Sequence, residues 1–193
     1  MGIRLTRGDA LLIVDVQNDF LPGGSLAVPD GDAIIPALNR YIARFLERRL
    51  PILATRDRHP PDHCSFKPQG GSWPPHCVAG SPGAAFPSAL ALPADAHIVS
   101  KATTREADAY SGFSGTGLHE LLQAMQIRRL FVGGLATEYC IRNTVTDALQ
   151  FGYTVFILED AIQAINLQPE DGVLALDAMI RLGAKPIRYE ELA

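Results

Sequence analysis

Six short apolar runs, separated by stretches with helical spacing, constrain this chain more than any other feature of its sequence. Residues 10–16 (ALLIVDV) read as a buried strand, as do 52–55, 97–100, 130–133 and 153–158, with a weaker sixth run at 185–189. Strands that are apolar along nearly their whole length belong in a parallel sheet covered on both faces. Between them, Ile34, Ile35, Leu38, Ile42, Phe45 and Leu46 recur at helical spacing behind Asp32 as a cap. Pro36 falls in the first turn, where a missing N–H costs little. Leu118, Leu121, Leu122 and Met125 predict a second helix, and a third runs from a Thr137 cap to about Gln150. A fourth opens at Pro169, turns Val173, Leu176, Met179 and Ile180 inward, and stops at Gly183. The alternation predicts a doubly wound α/β fold: a mostly parallel six-stranded sheet with helices on both faces, in one domain over 1–193.

Composition narrows the function classes. The 193 residues are 47% hydrophobic and carry 17 basic against 21 acidic side chains, a net charge of −4. That balance argues against a nucleic-acid or anionic-membrane surface. Three cysteines form no disulfide framework and favour a reducing compartment, so the expected location is cytoplasmic. One stretch breaks the α/β pattern. Residues 60–93 hold eight of the 14 prolines together with Phe66, Trp73, Phe86, two histidines and two cysteines. A loop of that length inside a compact domain is usually functional. The candidate metal and substrate loop is taken as 57–93.

In open α/β sheets, ligands bind beyond the carboxyl ends of the strands. The predicted strands are followed there by Asp15, by Asp57 and His59, by Lys101, and by GGLATEYC with Cys140. Near a helix N-terminus, Cys140 would have a lowered pKa and serve as a nucleophile; equally, it reads as a small buried hydrophobe. Asp15 reads as a general base for that thiol or as a structural carboxylate binding backbone amides. Lys101 reads as the cation that pairs with Asp15, or as a strand-end lysine whose stem is buried. Asp57, His59, His63 and His76 could together hold zinc, iron or manganese. A closed structural zinc site drawing on Cys64 and Cys77 is the competing reading, although no CxxC spacing supports it.

The strings IVDVQNDFLPGGSLAV (13–28), ATRDRHPPDHCSF (54–66), SWPPHCVAGSPGAAF (72–86), AYSGF (109–113) and GGLATEYCIRNTVTDAL (133–149) span most of the chain. In them the sequence resembles the nicotinamidase/pyrazinamidase group of the isochorismatase-like cysteine hydrolases. The resemblance implies a catalytic triad of Asp15, Lys101 and Cys140. It implies an oxyanion hole from the amides of Ala136 and Cys140, and one divalent metal ion on Asp57, His59 and His76. It leaves open whether His63 is a further ligand. It implies a substrate pocket of Phe20, Trp73 and Tyr110, and a non-proline cis peptide at Leu135–Ala136. Glu138 departs from the group's usual aspartate, while Cys140 argues against the branch acting on isochorismate. The implied activity is deamidation of nicotinamide or pyrazinamide through a cysteine thioester, with a small-molecule substrate as partner and no nucleic acid or membrane. A homo-oligomer is compatible with the sequence. The alternatives are a related amidohydrolase of carbamoyl or ureido substrates, and a non-catalytic ligand- or metal-binding module on the same fold.

Overall fold

A computed structural model describes residues 2–193. The strands are β1 (Asp9–Val14), β2 (Ile52–Asp57), β3 (His97–Lys101), β4 (Arg129–Leu135), β5 (Thr154–Gln163) and β6 (Lys185–Ile187). They form one sheet in the order β3-β2-β1-β4-β5-β6, with every pairing parallel. The helices are α1 (Ile35–Glu47), α2 (Leu118–Ala124), α3 (Arg142–Gln150) and α4 (Asp171–Arg181). Successive residues of β1 point to opposite sides, as strand geometry requires. Leu11 and Ile13 pack with Leu38, Tyr41 and Phe45 of α1, whereas Ala10, Leu12 and Val14 meet Leu122 of α2, Val145 of α3 and Met179 of α4.

The sequence places every strand but misplaces several ends. β1 stops at Val14, and β2 and β3 run on to Asp57 and Lys101, so both of these polar residues are the last of their strands. Neither predicted cap acts through its side chain. Asp32 lies inside a 3-10 turn (Gly31–Ile34) that leads into α1, and it contributes its carbonyl, to the Ile35 amide. Thr137 is buried inside its turn, while the Ala136 carbonyl accepts from Tyr139 and Ile141 N–H, both at 3.1 Å. In each case backbone acceptors have taken the donors that a cap would serve.

Three expected core residues are exposed. Leu46 lies one position beyond the buried Phe45, on the outer side of α1. On α4 the inward stripe is Gly172, Ala175 and Met179, which turns Val173 and Ile180 to solvent. Gly172 approaches so closely that a Cβ there would sit 2.5 Å from the Ala164 Cβ. This tight seating rotates the larger residues outward. Gly183, at φ +110°, ends the helix as expected.

The fold fixes where chemistry can occur. β1 and β4 are neighbours, yet the chain leaves them in opposite directions along the sheet, so their carboxyl ends open a crevice at the switch point. Gly134 makes the close pairing there feasible: its φ is +129°, and a Cβ would meet the Val14 carbonyl oxygen at 2.1 Å.

Candidate active site at the β1/β4 crevice

Four strand ends deliver the polar residues. Asp15 follows β1, Asp57 ends β2, Lys101 ends β3, and Cys140 lies in a π-helical turn (Thr137–Ile141) after β4. The Lys101 Nζ lies 2.9 Å from Asp15 Oδ2, 2.5 Å from Asp57 Oδ1 and 3.5 Å from Cys140 Sγ, and it donates to the Ala109 carbonyl at 2.9 Å. Asp15 and Lys101 are fully enclosed, and Cys140 is 6% exposed. Thr55 Oγ1 donates to Asp15 Oδ1 at 2.6 Å. Asp15 Oδ2 has the ion-pair contact with Lys101 but no well-angled hydrogen bond, which leaves a lone pair free to accept a proton.

The electrostatics correct one expectation from sequence. The helix terminus was expected to lower the Cys140 pKa, but the thiol is pushed well above its usual range. Burial is the main cause; Lys101 opposes it, while Asp15 and Asp57 add to it. Cys140 therefore rests as a thiol and needs a base. Burial also raises the Asp15 carboxyl, against the pull of Lys101, which makes it a stronger base than a solvated carboxylate. The two neighbouring carboxylates hold Lys101 charged, with its pKa well above normal despite desolvation.

Beside this group, ligand atoms of Asp57, His59 and His76 lie within 4.8 Å of one another. His59 Nδ1 is 2.9 Å from the His76 carbonyl, and His76 Nδ1 is 2.8 Å from the Pro74 carbonyl. A carbonyl can only accept, so each ring carries a proton on Nδ1, which leaves Nε2 as the nitrogen to face a metal. Burial pushes the His59 pKa down to about 4, which keeps the ring neutral. With Lys101 on Asp57 Oδ1, the other carboxylate oxygen remains available. Two buried carboxylates facing one buried ammonium leave an excess negative charge that a divalent cation would offset. These residues fit a metal. Cys64 and Cys77 belong to no such cluster among the described residues, and the Cys77 thiol is raised by burial, so the closed structural zinc reading finds no support.

Of the expected pocket residues, Trp73 and Tyr110 come together: Trp73 Nε1 donates to the Tyr110 hydroxyl at 3.0 Å. Burial raises the Tyr110 phenol pKa, and the hydrogen bond from Trp73 opposes it. Phe20 packs on His76, with ring centroids 5.6 Å apart. The Leu135–Ala136 peptide is cis, placing Ala136 directly before the Cys140 turn.

Several further residues shape the site without a role expected from sequence. Tyr139 joins the aromatic group, 5.3 Å from Trp73 and 5.7 Å from Tyr110. Phe66 backs the His59 and His76 rings at 5.3 and 5.6 Å. Gln17 holds Asp57 by both backbone groups, accepting from its N–H and donating to its carbonyl at 2.8 Å each. Asp19 accepts the Cys77 amide at 2.6 Å and so pins the turn that carries His76. Gln17 and Asp19 stand at alternate positions in DVQNDF after an apolar strand, the only sequence signal that could have singled them out.

Residues 9–191 match the isochorismatase domain family. The chain belongs to that family. It is 39% identical to the nicotinamidase of Escherichia coli, over 91% of this chain and 92% of the relative. Pyrazinamidase of Pyrococcus horikoshii, solved in complex with zinc, superposes with a TM-score of 0.91 at 48% identity, covering 94% of this chain and 99% of that one. The PnC1 protein of L. infantum, solved with nicotinate, gives a TM-score of 0.91 at 34% identity over 100% of this chain and 99% of its own. Among the described residues, no helix is long and apolar enough to cross a membrane.

Proposed function

We propose that this isochorismatase-family chain is a nicotinamidase, deamidating nicotinamide and pyrazinamide to the carboxylate and ammonia through a thioester on Cys140. One observation carries the reading: the Lys101 ammonium lies within 3.5 Å of Asp15, Asp57 and Cys140 together, beside a cluster able to hold a metal. Similarity to the nicotinamidase and to the zinc-bound pyrazinamidase supports it.

Asp15 removes the proton from Cys140, and the sulfur attacks the carboxamide carbon while the carbonyl electron pair moves to oxygen. The amides of Ala136 and Cys140 form the oxyanion hole. Collapse breaks the C–N bond, and ammonia departs with the proton that Asp15 took. A water then gives its proton to Asp15 and attacks the thioester carbon. The second collapse expels the sulfur, which recovers the proton from Asp15, and releases the acid. Lys101 stays charged throughout and steadies both the carboxylate and the developing thiolate.

Phe20, Trp73 and Tyr110, joined by Tyr139, pack on the heteroaromatic ring, each worth on the order of 1 kcal/mol beyond area burial. Asp57, His59 and His76 would hold one divalent ion (zinc, iron or manganese), which supplies a coordination position for the ring nitrogen and so orients the substrate. That cluster favours a pyridine or pyrazine amide over a carbamoyl or ureido substrate, which needs no ring nitrogen bound. The thiol, base and ammonium in contact favour an enzyme over a binding module. Three unpaired cysteines suit the cytoplasm.

The reading is tested by ammonia release from nicotinamide with and without a chelator. Chelation should lower the rate at least about tenfold, and one of the three metals should restore it. Benzamide, which lacks the ring nitrogen, should be a poor substrate. Full activity in chelator, or benzamide turned over as fast as nicotinamide, would contradict the reading.

A further inference from the structure

The loop that carries His59 and His76 also carries a histidine whose role the sequence leaves open. We infer that His63 is a positioning residue that clamps the 102–110 loop over the site, and not a ligand of the metal; this rests on the metal-centre reading above. The Ser65 N–H donates to His63 Nδ1 at 3.3 Å, with Ser65 Oγ 2.7 Å from the same nitrogen. Nδ1 therefore accepts, the ring proton sits on Nε2, and Nε2 donates to the Ala107 carbonyl at 3.1 Å. Both nitrogens are spent within the protein. His59 and His76 differ, each using only Nδ1 on a carbonyl.

Position agrees with bonding. His63 is absent from the Asp57–His59–His76 group; it clusters instead with His59 and the exposed Asp108, whose carboxylate accepts the neighbouring Ala109 amide. The His63–Ala107 bond is also part of a seam. The Cys64 amide donates to the Arg105 carbonyl at 2.8 Å, and Arg105 pairs with Asp62 at 3.2 Å. Residues 62–64 thus grip 105–107 at three points. The gripped segment leads straight to the Ala109 carbonyl, which accepts from Lys101 Nζ, and to Tyr110, whose hydroxyl accepts from Trp73. His63 fixes the loop whose next residues orient the ammonium and one wall of the substrate pocket.

The test compares His63→Ala, His63→Gln and His59→Ala in the full chain. Zinc affinity is measured by competition with a chromophoric chelator, the Cys64 amide by hydrogen exchange, and KM and kcat on nicotinamide. In His63→Ala, KM should rise about tenfold with kcat little changed, and the Cys64 amide should exchange about tenfold faster, each the equivalent of one lost hydrogen bond. Zinc affinity should stay within about threefold, against the 10–100-fold or greater losses that follow damage to a metal site. His63→Gln retains an N–H donor near the Nε2 position and should restore both KM and exchange. A fall of about tenfold or more in zinc affinity for either His63 variant, or an unchanged KM in His63→Ala, would overturn the inference. If His63→Ala does not fold, His63→Gln decides alone: parental KM and exchange with zinc affinity within about threefold uphold the inference, and a roughly tenfold rise in KM or loss of zinc affinity overturns it. His59→Ala separates the two levels of argument: should it bind zinc like the parent, the metal-centre reading itself fails, whatever His63 does.

Discussion

Replacing Cys140 with alanine is expected to lower kcat by about four to six orders of magnitude, the usual cost of deleting a nucleophile that acts with its base as a unit. The fold should tolerate the change. The contact of the sulfur with Lys101 is of moderate length, 3.5 Å, and that ammonium keeps Asp15, Asp57 and the Ala109 carbonyl. Nicotinamide binding should persist, because the aromatic group and the metal cluster are untouched, and equilibrium dialysis measures it. A variant that turns over at more than about a hundredth of the parental rate would mean that the sulfur is not the nucleophile.

Lys101→Met is expected to destabilise the protein by about 3–5 kcal/mol and to abolish activity, because it leaves buried carboxylates without their counter-charge. Asp15 has no surface exposure and Asp57 is 5% exposed, so water cannot take over from the ammonium. Methionine fills much of the space of the lysine stem, so the loss reports charge more than cavity. Urea denaturation of parent and variant measures it. The loss should be larger in metal-free protein, since a cation at Asp57 would supply part of the compensation. Unchanged stability in the metal-free variant would show that the two carboxylates are not both ionised in the folded state.

The central strands were legible in the sequence because β1, β2, β4 and the first half of β5 are buried on both faces. An apolar run such as ALLIV needs no periodicity to be recognised, and its first polar residue, Asp15, marks where the crevice begins. Alternation of strand and helix then brought Asp15, Asp57, Lys101 and Cys140 to one edge. Helix faces were less legible. Val173 and Ile180 match the apolar spacing of α4, but the close approach of Gly172 to Ala164 turned the inner stripe away from them, a contact between segments that no local pattern records. The state of the thiol was hidden for a similar reason. A helix terminus can be read from sequence, whereas burial beside two carboxylates depends on which strands are neighbours. Gln17 and Asp19 escaped notice because their partners, Asp57 and Cys77, lie some forty and sixty residues away in the chain. The cis Leu135–Ala136 peptide was anticipated through family resemblance, not through composition or spacing.

On the proposed mechanism, Cys140 becomes covalently acylated during turnover. Rapid acid quenching of the enzyme with nicotinamide, followed by mass spectrometry of the peptide containing Cys140, tests it directly. An added mass of one nicotinoyl group is expected on that residue, formed at early times and absent from the Cys140→Ala protein. Steady ammonia release, with the Cys140 peptide unmodified at every quench time and the adduct missing even when hydrolysis is slowed, would contradict it.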